Sequence, residues 1–389
     1  MIYVDNAATT ALKPEVLDKM MPYLTAKYGN PSSTIYKTGR EARLALDGAR
    51  AAIAKLLGAA ADEVYFTASG SEADNWAIKG TAQLSKGKHI ITSAIEHHAV
   101  LHSVEFLAKN GFEATYLPVS ADGLVDPADL ESAIRPDTCL ITIMTANNEI
   151  GTIQPIKELA AVARAYKIPF HTDAVQAFGH IAMDVNDLGA DMLSLSAHKL
   201  GGPKGVGALY VKKGTRLANL IHGGGQEFGK RAATENVAGI VGFAEAARLA
   251  VENMESNNAK LLAMRNAMIE KIAATIPYCR LNGHADKRLP GNVSFCFEYI
   301  EGEALLMMLA AKEIEASSGS ACTSGSLDPS HVLLAIGLPH VTAHGSLRIS
   351  FGKDNTMEDV ETIACELPPI VQRLRDMSPL YEGVIQIPN

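Results

Sequence analysis

The stretch "LSLSAHKLGGPKGVGALYV" sets a lysine where an apolar strand gives way to a glycine-rich turn. Ser196, His198 and Lys199 stand at that exit. A lone lysine at a strand end is more often a solvated surface group, and Lys204 lies close by, so this stretch alone does not single out Lys199. The glycines are not a Walker motif, because no helix follows them. "IPFHTDAVQAFG" adds Asp173, just past another apolar strand, with Gln176 three residues on. An aspartate there is often only a helix N-cap. Paired with a downstream lysine it has a second reading. Pyridoxal phosphate needs a lysine for its Schiff base and a carboxylate to keep its pyridine nitrogen protonated.

Such a cofactor also needs a phosphate cradle. "EVYFTASGSEADNWAIKG" reads as a strand, a small-residue turn at Ser69, Gly70 and Ser71, then a helix whose free N–H groups and dipole favour an anion. A plain N-cap is the simpler account of that turn taken alone. "SAIEHHAVLHS" places His97 and His98 just after a further strand, where an imidazole could stack on a cofactor ring and exchange protons near neutral pH, or could be one of a surface pair. Several such features at the ends of different strands coincide by chance far less often than any one of them. Cys322, in "SSGSACTSGS", sits among small residues between two helical segments, and is either an accident of composition or a reactive thiol on a small-residue tether.

The elements that must position these groups alternate. "EVYFTA", "HIITSA", "TYLPV", "CLITIMTA", "PFHTDA", "DMLSLSA" and "VGALYV" are short apolar runs, several of them separated by helical patterns such as "PIKELAAVARAYK". That order predicts an α/β fold, a mainly parallel sheet flanked by helices, with functional groups at the strand C-termini. In "EARLALDGARAAIAKLLG", Leu44, Ile53, Leu56 and Leu57 read as one helical face ended by Gly58. After about residue 255 the pattern changes to a smaller α+β unit, with a closing helix that Pro368 and Pro369 should break or kink. The expected division is a large unit over 15–255, and a small one made of 1–14 plus 256–389.

The chain has 389 residues, 47% hydrophobic and 20% charged, with net charge −8, which is ordinary globular composition. No long basic run supports a nucleic-acid partner. No apolar run approaches the roughly 20 residues of a membrane span. No signal peptide is legible at "MIYVDNAATT". Five scattered cysteines show neither a zinc spacing nor a disulfide framework, and a reducing cytoplasm is the simple reading. Cys139 and Cys296 in apolar strands, and Cys365 in a helix, read as core packing; Cys279 receives no role.

Taken in order, "DNAATT" (5–10), "YGNPSS" (28–33), "SGSEADN" (69–75), "EHHAVL" (96–101), "NNEIG" (147–151), "HTDAVQ" (171–176), "SAHKLGGPKGVG" (196–207), "HGGGQE" (222–227), "SSGSACTS" (317–324) and "LRISFG" (347–352) resemble the NifS/IscS cysteine desulfurases. These are class V aminotransferases of the fold-type I pyridoxal-phosphate group, and the resemblance spans nearly the whole chain. It implies that Lys199 binds pyridoxal 5'-phosphate, Asp173 pairs with the pyridine nitrogen, and Gln176 meets the phenolic oxygen. His97 would stack on the ring and serve as acid–base group. Gly70, Ser71, Ser196 and His198 would hold the phosphate, with Thr234 reaching the phosphate of the neighbouring subunit in a homodimer. Asn148 and Arg348 would hold the carboxylate of L-cysteine, and Cys322 would be the nucleophile that takes its sulfur as a persulfide. No metal is implied at the resting site. A scaffold protein of the U type would accept the sulfur for iron–sulfur cluster assembly.

One departure concerns "KRAATEN", where Ala233 replaces the usual glycine; alanine there should resist φ > 0 and loosen the Thr234 contact. Two other readings compete. A selenocysteine lyase is disfavoured by the loop thiol, and a catalytically silent scaffold by the joint presence of Lys199, Asp173, His97, Cys322 and Arg348.

Overall fold

The computed structural model describes residues 1–319 and 328–381. Cys322 therefore lies outside the described residues. The chain opens with a short strand, β1 (Ile2–Tyr3). It then builds one seven-stranded sheet from β2 (Val64–Thr67), β3 (His89–Ser93), β4 (Glu113–Leu117), β5 (Thr138–Thr142), β6 (Phe170–Asp173), β7 (Met192–Ser196) and β8 (Gly207–Val211). The spatial order is β2-β8-β7-β6-β5-β3-β4. Every neighbour pair from β4 through to β7 is parallel, while β8 runs antiparallel to both β7 and β2. The fold class is thus the expected α/β one. β3, β6, β7 and β8 are buried at every position, which is why they read as continuous apolar runs and not as alternating ones.

Adjacent residues of one strand feed opposite layers. Met192 packs with Trp76, Ile78, Val100 and Leu140 beneath helices Gly70–Leu84 and His98–Ala108. Leu193 and Leu195 pack with Ile53, Leu57 and Phe243 beneath helices Lys37–Leu57 and Val237–Glu252. The helix Lys37–Leu57 ends at Gly58, whose φ of +70° suits glycine. Leu44 departs from its expected face and is 72% exposed. Nine residues at roughly 100° each turn it to the side opposite Ile53, so Leu46 and Ala49 hold the buried stripe in its place.

The later strands are β9 (Cys279–Leu281), β10 (Asn292–Phe297), β11 (Ile314–Glu315) and β12 (Ser346–Ser350). β10 is central, antiparallel to β9 and β12, and β1 pairs in parallel with β11. Helices Met254–Thr275, Gly302–Ala310 and Met357–Asp376 cover this sheet through Met264, Met268, Leu305, Leu309, Ile363 and Leu367. The closing helix runs through Pro368 and Pro369 without the break that was one of the two expected outcomes. The two prolines lie toward the outer side, where the carbonyls of Ala364 and Cys365 can turn to water, while Leu367, Ile370, Val371 and Leu374 stay buried. Cys365 shares that outer side and is exposed, so it is not a core thiol; Cys139 and Cys296 are buried as expected.

Candidate active site

The strand ends converge because parallel strands send all their C-termini to one edge of the sheet. After β7 comes Lys199, whose Nζ donates to the carbonyls of Ala7 at 2.6 Å and Ala8 at 2.8 Å. The segment Asn6–Thr10 is laid across the lysine by the neighbouring sheet. Ser350 N donates to Val4 O at 2.7 Å, and Ala7 N donates to Ser350 Oγ at 2.9 Å. Thr10 Oγ1 then donates to the His198 carbonyl at 2.8 Å, and His198 Nδ1 lies 3.1 Å from Thr9 Oγ1. Lys204 is exposed, which separates the two lysines the sequence left open.

At the end of β6, Asp173 is 6% exposed and accepts from Val175 N at 2.9 Å. Burial pushes its carboxyl up to about 6, against the pull of that hydrogen bond and of the Lys199 ammonium. Gln176 Nε2 donates to Ala7 O at 2.8 Å. Behind Asp173 lies Asp74, 1% exposed, on the helix Gly70–Leu84. Burial and the nearby Asp173 raise its carboxyl well above the usual range, and its Oδ1 has no hydrogen-bond partner. One ligand atom each from Asp74, Asp173 and His97 lie within 4.8 Å of one another.

His97 is the N-cap of the helix His98–Ala108; its Nδ1 accepts from Ala99 N at 3.1 Å, which puts the ring proton of the neutral form on Nε2. Burial, with the Lys199 charge next, lowers it to about 4, so it is neutral at pH 7. Glu96 beside it is buried, accepts from Ser93 Oγ at 2.5 Å and Met144 N at 2.9 Å, and is pushed up to about 8 by burial. Ser69 caps the helix Gly70–Leu84 by accepting from Glu72 N, leaving Gly70 and Ser71 at its open end. A Cβ on Gly70 would stand 2.7 Å from Val175 Cγ2, so only glycine lets the helix start pass this closely. His198 is lowered to about 4, first by burial and then by Lys199 and Lys204.

Arg348 reaches the same cavity from β12. It is 2% exposed; Nη1 donates to Asn148 O at 3.1 Å and Nη2 to Asp5 Oδ1 at 2.7 Å, and Nε is buried without a partner. Asn147 holds the turn that presents Asn148, accepting on Oδ1 from Glu149 N at 2.8 Å and from Ile150 N at 2.9 Å.

The cavity among these groups is about 380 Å³, and its lining includes Gly70, Ser71, His97, Asn148, Asp173, Gln176, Ser196, His198, Lys199 and Arg348. Thr234 is exposed and does not line it. Ala233 next to Thr234 has φ +117°, so alanine does adopt the positive φ that the sequence made unexpected there. Such a backbone costs on the order of 1–3 kcal/mol. Sequence reasoning passed over Asp5, Asp74, Glu96 and Glu149. All four lie within quoted motifs, but residue type alone does not reveal that Asp74, Glu96 and Glu149 are buried or that Asp5 meets Arg348.

A lysine ammonium, a buried carboxyl, a side-chain amide and an open helix end around one cavity fit a pyridine ring carrying an aldehyde and a phosphate. The fold and this donor set define a pyridoxal-phosphate enzyme of the α/β type. The sequence profile of the aminotransferase class-V family matches residues 2–363. The chain is 55% identical to a cysteine desulfurase IscS of Clostridium botulinum, covering 99% of this chain and 98% of that one. It is 56% identical to cysteine desulfurase IscS of Methanosarcina thermophila, covering 97% and 94%. Among solved structures, a NifS-like protein superposes with a TM-score of 0.90 at 37% identity over 96% of this chain and 100% of that one. SspA in complex with cysteine gives 0.80 at 40% identity, over 92% and 100%. The chain belongs to the class-V aminotransferases and, within them, to the NifS/IscS cysteine desulfurase family, whose members are pyridoxal-phosphate enzymes.

Proposed function

We propose that this protein is a pyridoxal-phosphate-dependent cysteine desulfurase that converts L-cysteine to L-alanine, leaves the sulfur as a persulfide on Cys322, and supplies it to iron–sulfur cluster assembly. The observation that carries this reading is the convergence of Lys199, Asp173, Gln176, His97 and Arg348 on one cavity of about 380 Å³. Bound pyridoxal phosphate supplies an electron sink for the bond between the substrate Cα and its hydrogen. Lys199 is the residue that would hold it covalently and move the Cα proton. Asp173 would face its ring nitrogen, Gln176 its phenolic oxygen, and His97 the ring. Gly70, Ser71, Ser196 and His198 would hold the phosphate.

Arg348, with Asn148, takes the substrate carboxylate; a guanidinium grips that group through parallel hydrogen bonds. Neutral His97 would offer its Nε2–H as a donor within the cavity. The Cys322 thiol attacks the substrate sulfur: the S–S bond forms as the substrate C–S bond breaks. L-cysteine and the thiol become L-alanine and the persulfide, with every atom and hydrogen accounted for.

The same reading makes the enzyme a homodimer, with Thr234 completing the phosphate site of the neighbouring subunit. In support, Leu24, Ile35 and Leu44 stand 56%, 92% and 72% exposed along two helices and the segment between them. The chain would divide into a large cofactor-binding unit, 15–255, and a small one, 1–14 plus 256–389; Val4 packing with Leu261 and Ile349 supports joining the N-terminus to the small unit. The acceptor would be a scaffold protein of the U type, and the site of action the cytoplasm. Among the described residues no helix is long and apolar enough to cross a membrane.

The test is Cys322→Ala. The purified protein should keep its yellow colour and the colour should still change when L-cysteine is added, while alanine and persulfide both fall to background. Alanine formation at the wild-type rate would sink the reading.

A further inference from the structure

The segment that bears Cys322 leaves the described fold at Gly319 and returns to it at Asp328, and both of its ends meet one buried side chain. On the way in, Ser317 is bridged to Arg348: Ser317 N donates to Arg348 O at 3.2 Å, and Arg348 N to Ser317 O at 2.6 Å. Gly319, which lines the cavity, is pressed against Glu149, since a Cβ there would stand 2.5 Å from Glu149 Oε2. On the way out, Ser330 caps the helix His331–Ala335, its Oγ accepting from Val332 N at 3.1 Å and Leu333 N at 3.4 Å. The same hydroxyl donates its proton to Glu149 Oε2. That carboxyl thus packs against the chain at one end of the segment and is hydrogen-bonded just past the other.

Glu149 is itself held fast. It is 4% exposed, its N–H is fixed by Asn147 Oδ1, and its carbonyl accepts from Asn292 Nδ2 at 3.1 Å. Asn148, the residue before it, gives its carbonyl to Arg348. Burial raises the carboxyl to about 7, against the pull of Ser330 and Arg348. Burying a carboxyl is costly, and a packing role alone would be served by an apolar side chain. The geometry suits another task. Cys322 is three residues past Gly319 in the sequence, and Gly319 itself lines the cavity. The effective concentration of a tethered thiol depends on where its anchors are.

We propose that Glu149 is a positioning residue for sulfur transfer: by packing against Gly319 and holding the Ser330 hydroxyl beside the strand end that presents Arg348, it fixes the points from which Cys322 reaches the substrate. This rests on the reading of Cys322 as the nucleophile. It adds a residue whose loss should spare substrate capture and impair the step that follows.

The experiment compares Glu149→Ala, Glu149→Gln, Ser330→Ala and Cys322→Ala as cofactor-loaded full chains. Glu149→Gln keeps an oxygen acceptor for the Ser330 hydroxyl and is expected to retain about half or more of the wild-type alanine formation. Glu149→Ala and Ser330→Ala are expected to lower kcat roughly tenfold or more, because small misplacements of a reacting group cost that much. Their KM for L-cysteine should stay within about twofold and the colour change on adding L-cysteine should stay complete. Wild-type turnover in both alanine variants overturns the proposal. So does a joint loss of cofactor content, colour change and turnover, or a loss in Glu149→Gln equal to that in Glu149→Ala. If Glu149→Ala does not fold, Ser330→Ala decides by the same criteria. Alanine production by Cys322→Ala at the wild-type rate is a different result, which removes the nucleophile reading itself.

Discussion

Replacing Arg348 with lysine keeps a positive charge in the cavity and removes the fork. The guanidinium donates from Nη1 to Asn148 O and from Nη2 to Asp5, and still has a buried Nε without a partner. An ammonium has three donors on a single nitrogen, so it cannot reproduce the planar fork that spans both fixed acceptors and grips a carboxylate through parallel bonds. The variant should therefore lose at least one charge-assisted hydrogen bond to substrate, worth about 1.5–3 kcal/mol. At about 1.36 kcal/mol per decade this is a fall of roughly 10- to 150-fold in kcat/KM for L-cysteine. The assay is alanine formation by the cofactor-loaded variant across a range of L-cysteine concentrations. Loss concentrated in KM would mean that Arg348 acts on bound substrate throughout; loss in kcat as well would mean that it also aligns the Cα–H bond. Cofactor content should not change, because among the described residues the hydrogen bonds of Arg348 run to Asn148, Asp5 and Ser317 and not to the candidate ring or phosphate residues. A kcat/KM within about twofold of wild type, at equal cofactor content, would remove Arg348 from the substrate site.

Three further expectations follow from the same geometry. Borohydride reduction and peptide mapping should find the pyridoxyl label on Lys199; Lys199→Ala should abolish turnover, and a label on Lys204 would refute the assignment. Glu227→Gln should destabilise the fold by about 3–5 kcal/mol in denaturant titration, because it strips the charge from a bidentate pair with Arg50 at 2.6 and 2.7 Å that is buried on both sides and also receives Phe66 N. Glu96 holds its proton up to about pH 8 in the fold and to about 4.5 in the unfolded chain. The fold binds the extra proton across that window, so this group makes stability fall as pH rises from about 4.5 to about 8. Glu96→Gln should flatten that part of the pH–stability curve, with the groups that face Glu96 (Ser93, Met144 N and Asp173) unchanged. An identical slope in wild type and variant would show that Glu96 is ionised throughout.

What the sequence determined by itself was local or modular. The apolar runs read as strands because parallel strands are buried on both faces, and Gly58 read as a helix stop because φ > 0 there favours glycine. Lys199, Asp173, His97 and the Ser69–Ser71 turn were legible because each stands at or just past a strand end, and strands running the same way bring those ends to one edge. Helical phase was the weaker inference. Leu44 lies half a turn from the face it was expected to share, and the row Val360, Ile363, Leu367 and Ile370 held the closing helix together across two prolines. Only the tertiary structure decided which charges are buried and with whom. Arg50 meets Glu227 across 177 residues, and Arg348 meets Asp5 across 343. Ala7 and Ala8 offer backbone carbonyls to Lys199, with no side-chain type to announce them. Asp74, Glu96 and Glu149 are each 4% exposed or less. Burial depends on what the rest of the chain brings alongside, and a carboxyl written in sequence is the same letter whether water or protein surrounds it.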